Sequence, residues 1–316
     1  MPSVVPLPVR RHSLVSTVRE AYGCNKVVVG VSGGPDSVAL LLLSLAAAAQ
    51  KSSSCTIVAG HIHHGLRGES DNEQTMVEAL CDELGVQLLT ERVNVSRVQG
   101  SLAAGARDAR YEALGRMATA VDATYVSVAH HADDQLETML MALCRGGGIR
   151  KLAGMAESRQ LTEQIALVRP LLQTEKKDLI HVCTLAGAKW CEDPTNRNVS
   201  TPRGRLRKDV IPVLRELWSS SDKHAAQASR ILHAAADAYE ALAPTGNAWK
   251  RKKLAELPTP IIAESIHLAV GNTAKNEMVH AIATAVQDAI VEPRTFECSD
   301  GCRVHISAHT VEVCYI

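Results

Sequence analysis

Short apolar runs of strand length alternate with longer segments of helical period through the first two thirds of this chain. Residues 27–31, Val-Val-Val-Gly-Val, are a continuous apolar run, which predicts a strand covered on both faces. Runs at 56–62, 86–93 and 125–129 predict three more strands. Residues 12–22 predict a first helix, and 38–45, 72–84, 101–121 and 133–144 predict the helices that follow the strands. Such alternation specifies an α/β fold with a doubly wound parallel sheet, whose ligands sit at the carboxyl ends of the strands. Residues 168–172 predict a further strand and 174–187 a helix stopped by Gly187. Residues 193–204, rich in Pro, Thr, Asn and Ser, read as an exposed loop. Helical patterns return at 206–217, 222–242 and 276–289, and residues 294–316 alternate around Asp300-Gly301, a hairpin signal. The expected organisation is an α/β domain over 1–205, a helical linker over 206–245 and a small α+β domain ending in the hairpin over 246–316.

The first strand runs directly into Ser32, Gly33, Gly34, Pro35, Asp36 and Ser37, and then into an apolar helix. Strand, glycine-rich turn and helix is the geometry that holds a phosphate on backbone N–H groups at a helix N-terminus. Two glycines allow the close approach, and Pro35 suits a first helical turn where its missing N–H matters little. The turn has neither the Gly-Lys-Ser/Thr of a P-loop nor the Gly-x-Gly-x-x-Gly of a dinucleotide fold.

The composition narrows the partners. At 316 residues with 46% hydrophobic content, about two domains with a sizeable core are expected. Lys+Arg and Asp+Glu both total 34, so no overall charge drives binding to nucleic acid, and any basic surface must be local. Aromatic residues are 3% of the chain, which argues against extensive base stacking. No apolar run reaches the length of a membrane span and no signal peptide is evident. The nine cysteines are scattered, without a Cys-x-x-Cys pair, and read as reduced, mostly buried thiols of a cytoplasmic protein. A homodimer is compatible with the sequence.

Further chemistry follows the fourth strand. His130 and His131 precede Asp133, Asp134 and Glu137 at the start of a helix. One Asp would serve as a cap; Asp134 and Glu137, at i and i+3, share a face and suit Mg²⁺ or an incoming ammonium group. His61, His63 and His64 end the second strand, but strand alternation turns His63 and His64 to opposite faces, so Arg67 is the better candidate for a phosphate or substrate. Arg107 and Arg110 lie i, i+3 on one helix, as a solvated face or as a pair aimed at a nucleotide. Arg203, Arg205, Arg207 and Lys208 follow the polar loop, as a solvated face or a phosphate-contacting patch.

Ser32 to Ser37 resembles the PP-loop of the ATP-pyrophosphatase superfamily, in which the loop binds the pyrophosphate of ATP and AMP is transferred. Together with His64-Gly65-Leu66-Arg67, residues 106–111, 130–138, 145–150, Arg169-Pro170-Leu171-Leu172 and Glu192-Asp193-Pro194-Thr195-Asn196, the chain resembles the tRNA(Ile)-lysidine synthetase family. That resemblance implies a reaction in which ATP adenylates the 2-oxo oxygen of the wobble cytidine in the CAU anticodon of tRNA(Ile). Free L-lysine then displaces AMP to give lysidine. It implies ATP binding by Ser32, Gly33, Gly34, Pro35, Asp36, Ser37, Arg107 and Arg110, and catalysis by Asp36, Asp134 and Glu137. It further implies Mg²⁺ on Asp36 and Asp134, and substrate or tRNA contacts by His64, Arg67, His131, Arg203, Arg205 and Arg207. The first domain is then the PP-loop catalytic domain, and the third a tRNA-binding domain. Where the family often has Arg-Asn-Arg this chain has Arg203-Gly204-Arg205, and residues 245–316 leave no room for the extra C-terminal domain of longer members. A PP-loop tRNA thiolase and a non-catalytic ATP-binding regulatory module are the alternatives. Isolated cysteines argue against the first, and the acidic cluster with the basic loop against the second.

Overall fold

The computed structural model describes residues 4–50, 54–63, 69–93, 102–191, 201–289 and 292–315. In chain order the elements are α1 (Leu7–Arg10), α2 (Leu14–Tyr22), β1 (Lys26–Gly30), α3 (Pro35–Ala48), β2 (Thr56–His63), α4 (Glu69–Leu84), β3 (Leu88–Arg92), α5 (Leu102–Ala120), β4 (Tyr125–Ser127) and α6 (Ala132–Cys144). There follow α7 (Ile149–Leu152), β5 (Ser158–Gln160), β6 (Ala166–Val168), α8 (Lys176–Ala186), α9 (Pro202–Arg205), a π-helical turn (Leu206–Val210), α10 (Ile211–Leu217) and α11 (Ser221–Leu242). The chain ends in β7 (Ala248–Lys250), α12 (Arg251–Ala255), α13 (Thr259–Val270), α14 (Asn276–Gln287), β8 (Arg294–Glu297), β9 (Cys302–Ile306) and β10 (Thr310–Tyr315). Two compact units result: Met1–Glu137 with Met155–Gln227, and Thr138–Gly154 with Ala228–Ile316. No helix among the described residues is long and apolar enough to cross a membrane.

The first unit holds the doubly wound sheet. Its six strands run in the order β3-β2-β1-β4-β6-β5, parallel except for the edge strand β5. Alternate β1 residues feed two cores. Val27, Val29 and Val31 pack with α2, α3, α4 and α8, while Val28 packs with Val58, Val126 and the α5 residues Leu114 and Met117. The chain leaves β1 towards β2 on one side and reaches β4 on the other, so the strand order reverses between β1 and β4. That switch point opens a crevice at the carboxyl ends of the strands. Helix α3 (Pro-Asp-Ser-Val-Ala-Leu-Leu-Leu-Leu-Ser-Leu-Ala-Ala-Ala) is apolar all round and is buried from Ser37 to Ala47 except at Leu45. Its one buried polar group in mid-helix is satisfied: the Ser44 hydroxyl donates to the Leu40 carbonyl and pairs with Tyr22 Oη, which in turn donates to Ser127 on β4.

The second unit contains a four-stranded antiparallel sheet, β7-β10-β9-β8, covered by α12, α13 and α14 over a core including Ile262, Ile266, Ile282, Val304 and Val311. Asp300 (φ 57°) and Gly301 (φ 72°) form the expected tight turn between β8 and β9, both in the left-handed region that a type I′ turn requires. Arg251, buried at the start of α12, donates to the carbonyls of Ala285, Val286 and Asp288 at the end of α14 and of Ser307.

Several expectations change. The strand expected over 168–172 ends at Val168, because Pro170 has no N–H to continue the ladder and residues 169–172 turn. The helix expected from 206 starts at Pro202, capped by Thr201, whose hydroxyl accepts the Gly204 N–H at 3.0 Å. Helix α13 had no counterpart in the sequence reading; its near-continuous apolar face shows little helical contrast. The thiols are less buried than expected, with Cys24, Cys144 and Cys314 exposed, and none of the described cysteines is in a disulfide.

At Gly60 the β2 backbone lies close against α5 and β1 side chains. A Cβ there would lie 2.9 Å from Val28 Cγ1 and 3.1 Å from both Leu114 Cδ2 and Met117 Sδ. Gly60→Ala is expected to destabilise the first unit by ~1–3 kcal/mol through overpacking, measured by urea denaturation. An unchanged midpoint would show that α5 can retreat freely.

Candidate active site

The loop after β1 is closed by its own side chains. The Ser32 N–H donates to Ser37 Oγ at 3.1 Å, and the Ser37 hydroxyl donates to the Gly34 carbonyl at 2.9 Å. Gly33 sits at φ +87°, which only glycine adopts readily, and Met76 Cε lies 3.0 Å from where a Cβ would stand. Its carbonyl accepts the Cys191 N–H at 2.9 Å. Pro35 is the first residue of α3, so the loop presents the N-terminus of a buried helix.

In front of the loop lies a cavity of about 170 Å³ at the switch point. Gly30, Gly60, Ile62, Leu114 and Val128 make its apolar wall. Ser32, Gly34, Asp36, Ser37, Arg110 and His130 make its polar side. The Nε of Arg110 is buried without a hydrogen-bond partner, and its guanidinium lies 5.7 Å from the Tyr111 ring. Burial lowers the Arg110 pKa from its ordinary value. Arg107 is exposed and is not among the lining residues.

His131 joins this cavity to the acidic cluster. It is 3% exposed, with Nε2 at 3.5 Å from both Asp36 Oδ2 and Asp134 Oδ2, and Nδ1 at 3.5 Å from Asp133 Oδ1. Burial alone would lower its pKa, but the carboxylates of Asp134, Asp133 and Asp36 outweigh it and push the value up to about 10, leaving a buried imidazolium. Burial would raise the Asp133 and Asp134 pKa values; His131 and nearby arginines reverse this and hold both below the ordinary range. Asp134 also accepts the His131 backbone N–H at 3.2 Å, in the manner of a capping box at the start of α6. Asp133 reaches the Lys176 N–H at the start of α8, and pairs with Arg215. Lys176 Nζ stands 3.7 Å from Asp36. The N-termini of α3, α6 and α8 thus meet at one place, which favours anions there.

Glu137 is 1% exposed and lies between two guanidinium groups. Arg203 Nε donates to Oε2 at 2.6 Å, and Arg207 donates to Oε1 at 2.6 Å and to Oε2 at 2.9 Å. Both arginines also donate to Asp134 Oδ1, at 3.1 and 3.3 Å. They lie four residues apart on the helix that begins at Pro202, which is why the early start of that helix matters. Arg205 faces away and pairs with Asp209 on the exposed side. The cluster anticipated as a phosphate patch therefore divides: Arg203 and Arg207 neutralise the acidic pair, and Arg205 remains at the surface.

Ser32, Gly34, Asp36, Ser37 and Arg110 are brought together at the cavity, with Gly33 and Pro35 in the same loop. Asp134, Glu137, Arg203 and Arg207 form the adjoining ion-pair group, and His131 links the two sets. His64 and Arg67 lie outside the described residues. His61 and His63 are each engaged, His61 Nδ1–H with the Val31 carbonyl at 2.8 Å and His63 Nδ1 with Arg92 Nε at 3.1 Å. Among the described residues no three His, Cys, Asp or Glu side chains are grouped to hold a metal by themselves. Sequence reasoning missed His130, Arg169, Lys176 and Arg215. His130 and Arg169 stood in segments quoted for the family resemblance with no role assigned to them, and the other two carry no local signal.

A switch-point cavity, a glycine turn at the head of a buried helix and an adjoining carboxylate set define a nucleotide-binding PP-loop domain. Residues 9–214 match the PP-loop domain family, and the chain belongs to it. Among curated proteins it is 42% identical over 195 residues to the tRNA(Ile)-lysidine synthase of Bacillus cereus, covering 60% of this chain and 40% of that one. It is 39% identical over 213 residues to the synthase of the same name from Chromobacterium violaceum, covering 67% and 48%. The chain thus spans about half the length of the curated relatives it matches, or somewhat less. Among solved structures, the U34-tRNA thiolase NcsA from Methanococcus maripaludis superposes with a TM-score of 0.60 at 16% identity, over 72% of this chain and 81% of that one, a likeness of fold.

The charge state of His131 has a stability signature. Its folded pKa of about 10 lies above the ordinary 6.5, so its contribution is complete below pH 6.5 and is lost as pH rises towards 10. Asp133 and Asp134 are depressed, so theirs is present above the ordinary 3.8 and lost on acidification. The difference in unfolding free energy between the wild-type chain and His131→Gln should shrink steadily from pH 6.5 to pH 10. A constant difference across that window would exclude an imidazolium at this position.

Proposed function

We propose that this chain carries the catalytic machinery of a tRNA(Ile)-lysidine synthase. In this reading it ligates free L-lysine to the wobble cytidine of the CAU anticodon of tRNA(Ile), by adenylation of the cytosine 2-oxo oxygen and displacement of AMP. The observation that carries it is the linkage, through His131, of the PP-loop carboxylate Asp36 to the buried pair Asp134 and Glu137. A site that only stored ATP needs the loop and the cavity; a site that passes AMP to a second, cationic substrate needs an acidic pocket beside them. The relatives named above support the same substrate class.

The residues divide the work as follows. Loop 32–37 and the N-terminus of α3 grip the pyrophosphate, and the apolar wall of Gly30, Gly60, Ile62, Leu114 and Val128 takes the nucleoside. Arg110, with a buried N–H left unpaired, faces the phosphoryl chain. Asp36 Oδ1 is buried without a hydrogen-bond partner, so Asp36 is the residue that would hold a Mg²⁺ here. Both Asp134 oxygens are taken by His131, Arg203 and Arg207, so Asp134 fits that role only if an arginine leaves. Held at Asp36, Mg²⁺ would supply neutralisation of phosphate charge. The cytosine oxygen attacks the α-phosphorus and pyrophosphate departs with the bonding pair. The lysine ammonium gives up a proton to solvent, its nitrogen attacks C2, and the C2–O bond breaks so that AMP leaves with that oxygen.

Asp134 and Glu137 receive the lysine ammonium as Arg203 or Arg207 moves off them, since both carboxylates are otherwise neutralised. Two guanidinium groups nearby favour the neutral amine, the form that attacks. Arg205, at the surface, and the exposed Lys250, Lys252 and Lys253 of the second unit are the proposed tRNA phosphate contacts, with His64 and Arg67 retained as substrate contacts. The thiolase alternative is not favoured, since its likeness here is one of fold alone.

The test uses a CAU-anticodon tRNA(Ile) transcript, ATP and radiolabelled lysine. Lysine should enter the tRNA with one AMP and one pyrophosphate released per turnover; folded protein that yields none of these refutes the reading. Asp36→Ala is expected to lower AMP transfer by about 100-fold or more, as loss of a group that stabilises transferring phosphate does. Arg205→Ala should raise the KM for tRNA and leave that for ATP unchanged.

A further inference from the structure

His130 and His131 are neighbours with pKa values shifted in opposite directions, and only that of His131 is explained by the acidic cluster. His130 lies on the polar side of the cavity, together with Arg110 and Asp36. Its Nδ1 receives a hydrogen bond from Arg169 Nε at 3.3 Å. A guanidinium has no lone pair, so Nδ1 must be the acceptor, and the ring proton of a neutral imidazole must stand on Nε2. Arg169 has no freedom to do otherwise. It is 5% exposed, and its Nη1 is fixed on the Ala156 carbonyl at 2.8 Å. The ring is kept neutral by burial first and by Arg169, Arg110 and Arg203 after it, against the pull of Asp134; together they push its pKa down to about 3. On the same polar side of the cavity, Arg110 Nε is a buried N–H without a partner.

We infer that His130 is a catalytic residue, a neutral Nε2–H donor to a non-bridging oxygen of the α-phosphoryl group during AMP transfer, and that Arg169 is a positioning residue that fixes its tautomer. The inference rests on the adenylation reading above. The β- and γ-phosphates are allotted to loop 32–37, so the group left opposite Arg110 and His130 is the one that reacts. Attack by the nucleophile oxygen forms one P–O bond and breaks another, and pyrophosphate leaves with the electron pair. His130 transfers no proton; it keeps its N–H and stabilises the charge that builds on the equatorial oxygens. A neutral donor of fixed direction suits this task. A second imidazolium would bind ATP and product tightly alike, whereas a donor already aimed at the reacting group acts chiefly in the transition state. Cavity and ion-pair group thus use the same residue type in two ways, one ring as a counter-ion and one as an aimed dipole.

Two measurements test this on the full chain. The first is side-chain ¹⁵N NMR of labelled protein, which distinguishes the two neutral tautomers and the imidazolium. Wild type should show His130 neutral with the proton on Nε2, Arg169→Lys should preserve that state, and Arg169→Met should lose it. The second is pyrophosphate release with ATP and the CAU tRNA transcript. His130→Ala should lower kcat by about 100-fold, the usual effect of removing one such donor, with the affinity for ATP unchanged. His130→Gln, whose amide N–H can stand near the Nε2 position, should recover at least a tenth of the wild-type kcat. A wild-type spectrum with the proton on Nδ1, or His130→Ala at near wild-type kcat, overturns the inference. So does a loss in His130→Ala that lies in ATP affinity alone. If the wild-type chain binds ATP but transfers no AMP to the tRNA, the adenylation reading fails and the catalytic role of His130 fails with it. The tautomer result stands separately, so the two failures are told apart.

Discussion

A buried positive charge at His131 is the constraint around which this site is arranged. Asp36 comes from the phosphate loop, Asp133 and Asp134 from the first turn of α6, and all three carboxylates approach one imidazole that water barely reaches. Without that charge, three carboxylates at the meeting point of β1, β4 and α8 would repel one another in a poorly solvated place. With it, each carboxylate has a fixed direction. Asp134 turns its other oxygen to Arg203 and Arg207, Asp133 reaches the head of α8 and Arg215, and Asp36 keeps one oxygen unclaimed. Elements far apart in the chain are brought together by charge as much as by apolar contact.

Burying so many ions is unfavourable unless each is matched. The structure matches them in layers: His131 and Lys176 against Asp36, Arg215 against Asp133, and two arginines against Asp134 and Glu137. Removing one member leaves its partner charged in a dry place, and that costs more than the pair itself contributes. The helix that supplies Arg203 and Arg207 is irregular where it does so, with a π-helical turn over Leu206–Val210 between two α-helical stretches. Such turns shift the phase of the helix that follows and recur at functional sites.

Much of this was legible from local signals. The four apolar strands, the glycine turn and the acidic start of α6 each announce themselves within a few residues, because strand burial, phosphate loops and helix starts are short-range phenomena. The Asp300-Gly301 turn is of the same kind. Thr201-Pro202 was equally local, an N-cap followed by proline, yet the surrounding Pro, Thr and Asn concealed a helix start in an apparent loop. Lys176 and Arg215 could not be read in this way, and Arg169 stood in the segment 169–172 with no role assigned to it. Each is an ordinary basic residue whose role comes from the fold placing it beside His130, Asp36 or Asp133. Helix α13 was passed over because a helix buried on most of its surface shows little of the polar contrast by which amphipathic helices are recognised.

Helix α3 carries a related consequence for the dynamics of the site. Its first turn holds the phosphate loop, and the rest is enclosed by the sheet and by α2 and α8. A segment enclosed on every side cannot open alone, since any excursion would strip several elements of their packing at once. The amides of this helix should therefore exchange with solvent only through opening of the whole α/β unit. The turn at the head of α3 is then among the most static parts of the first unit.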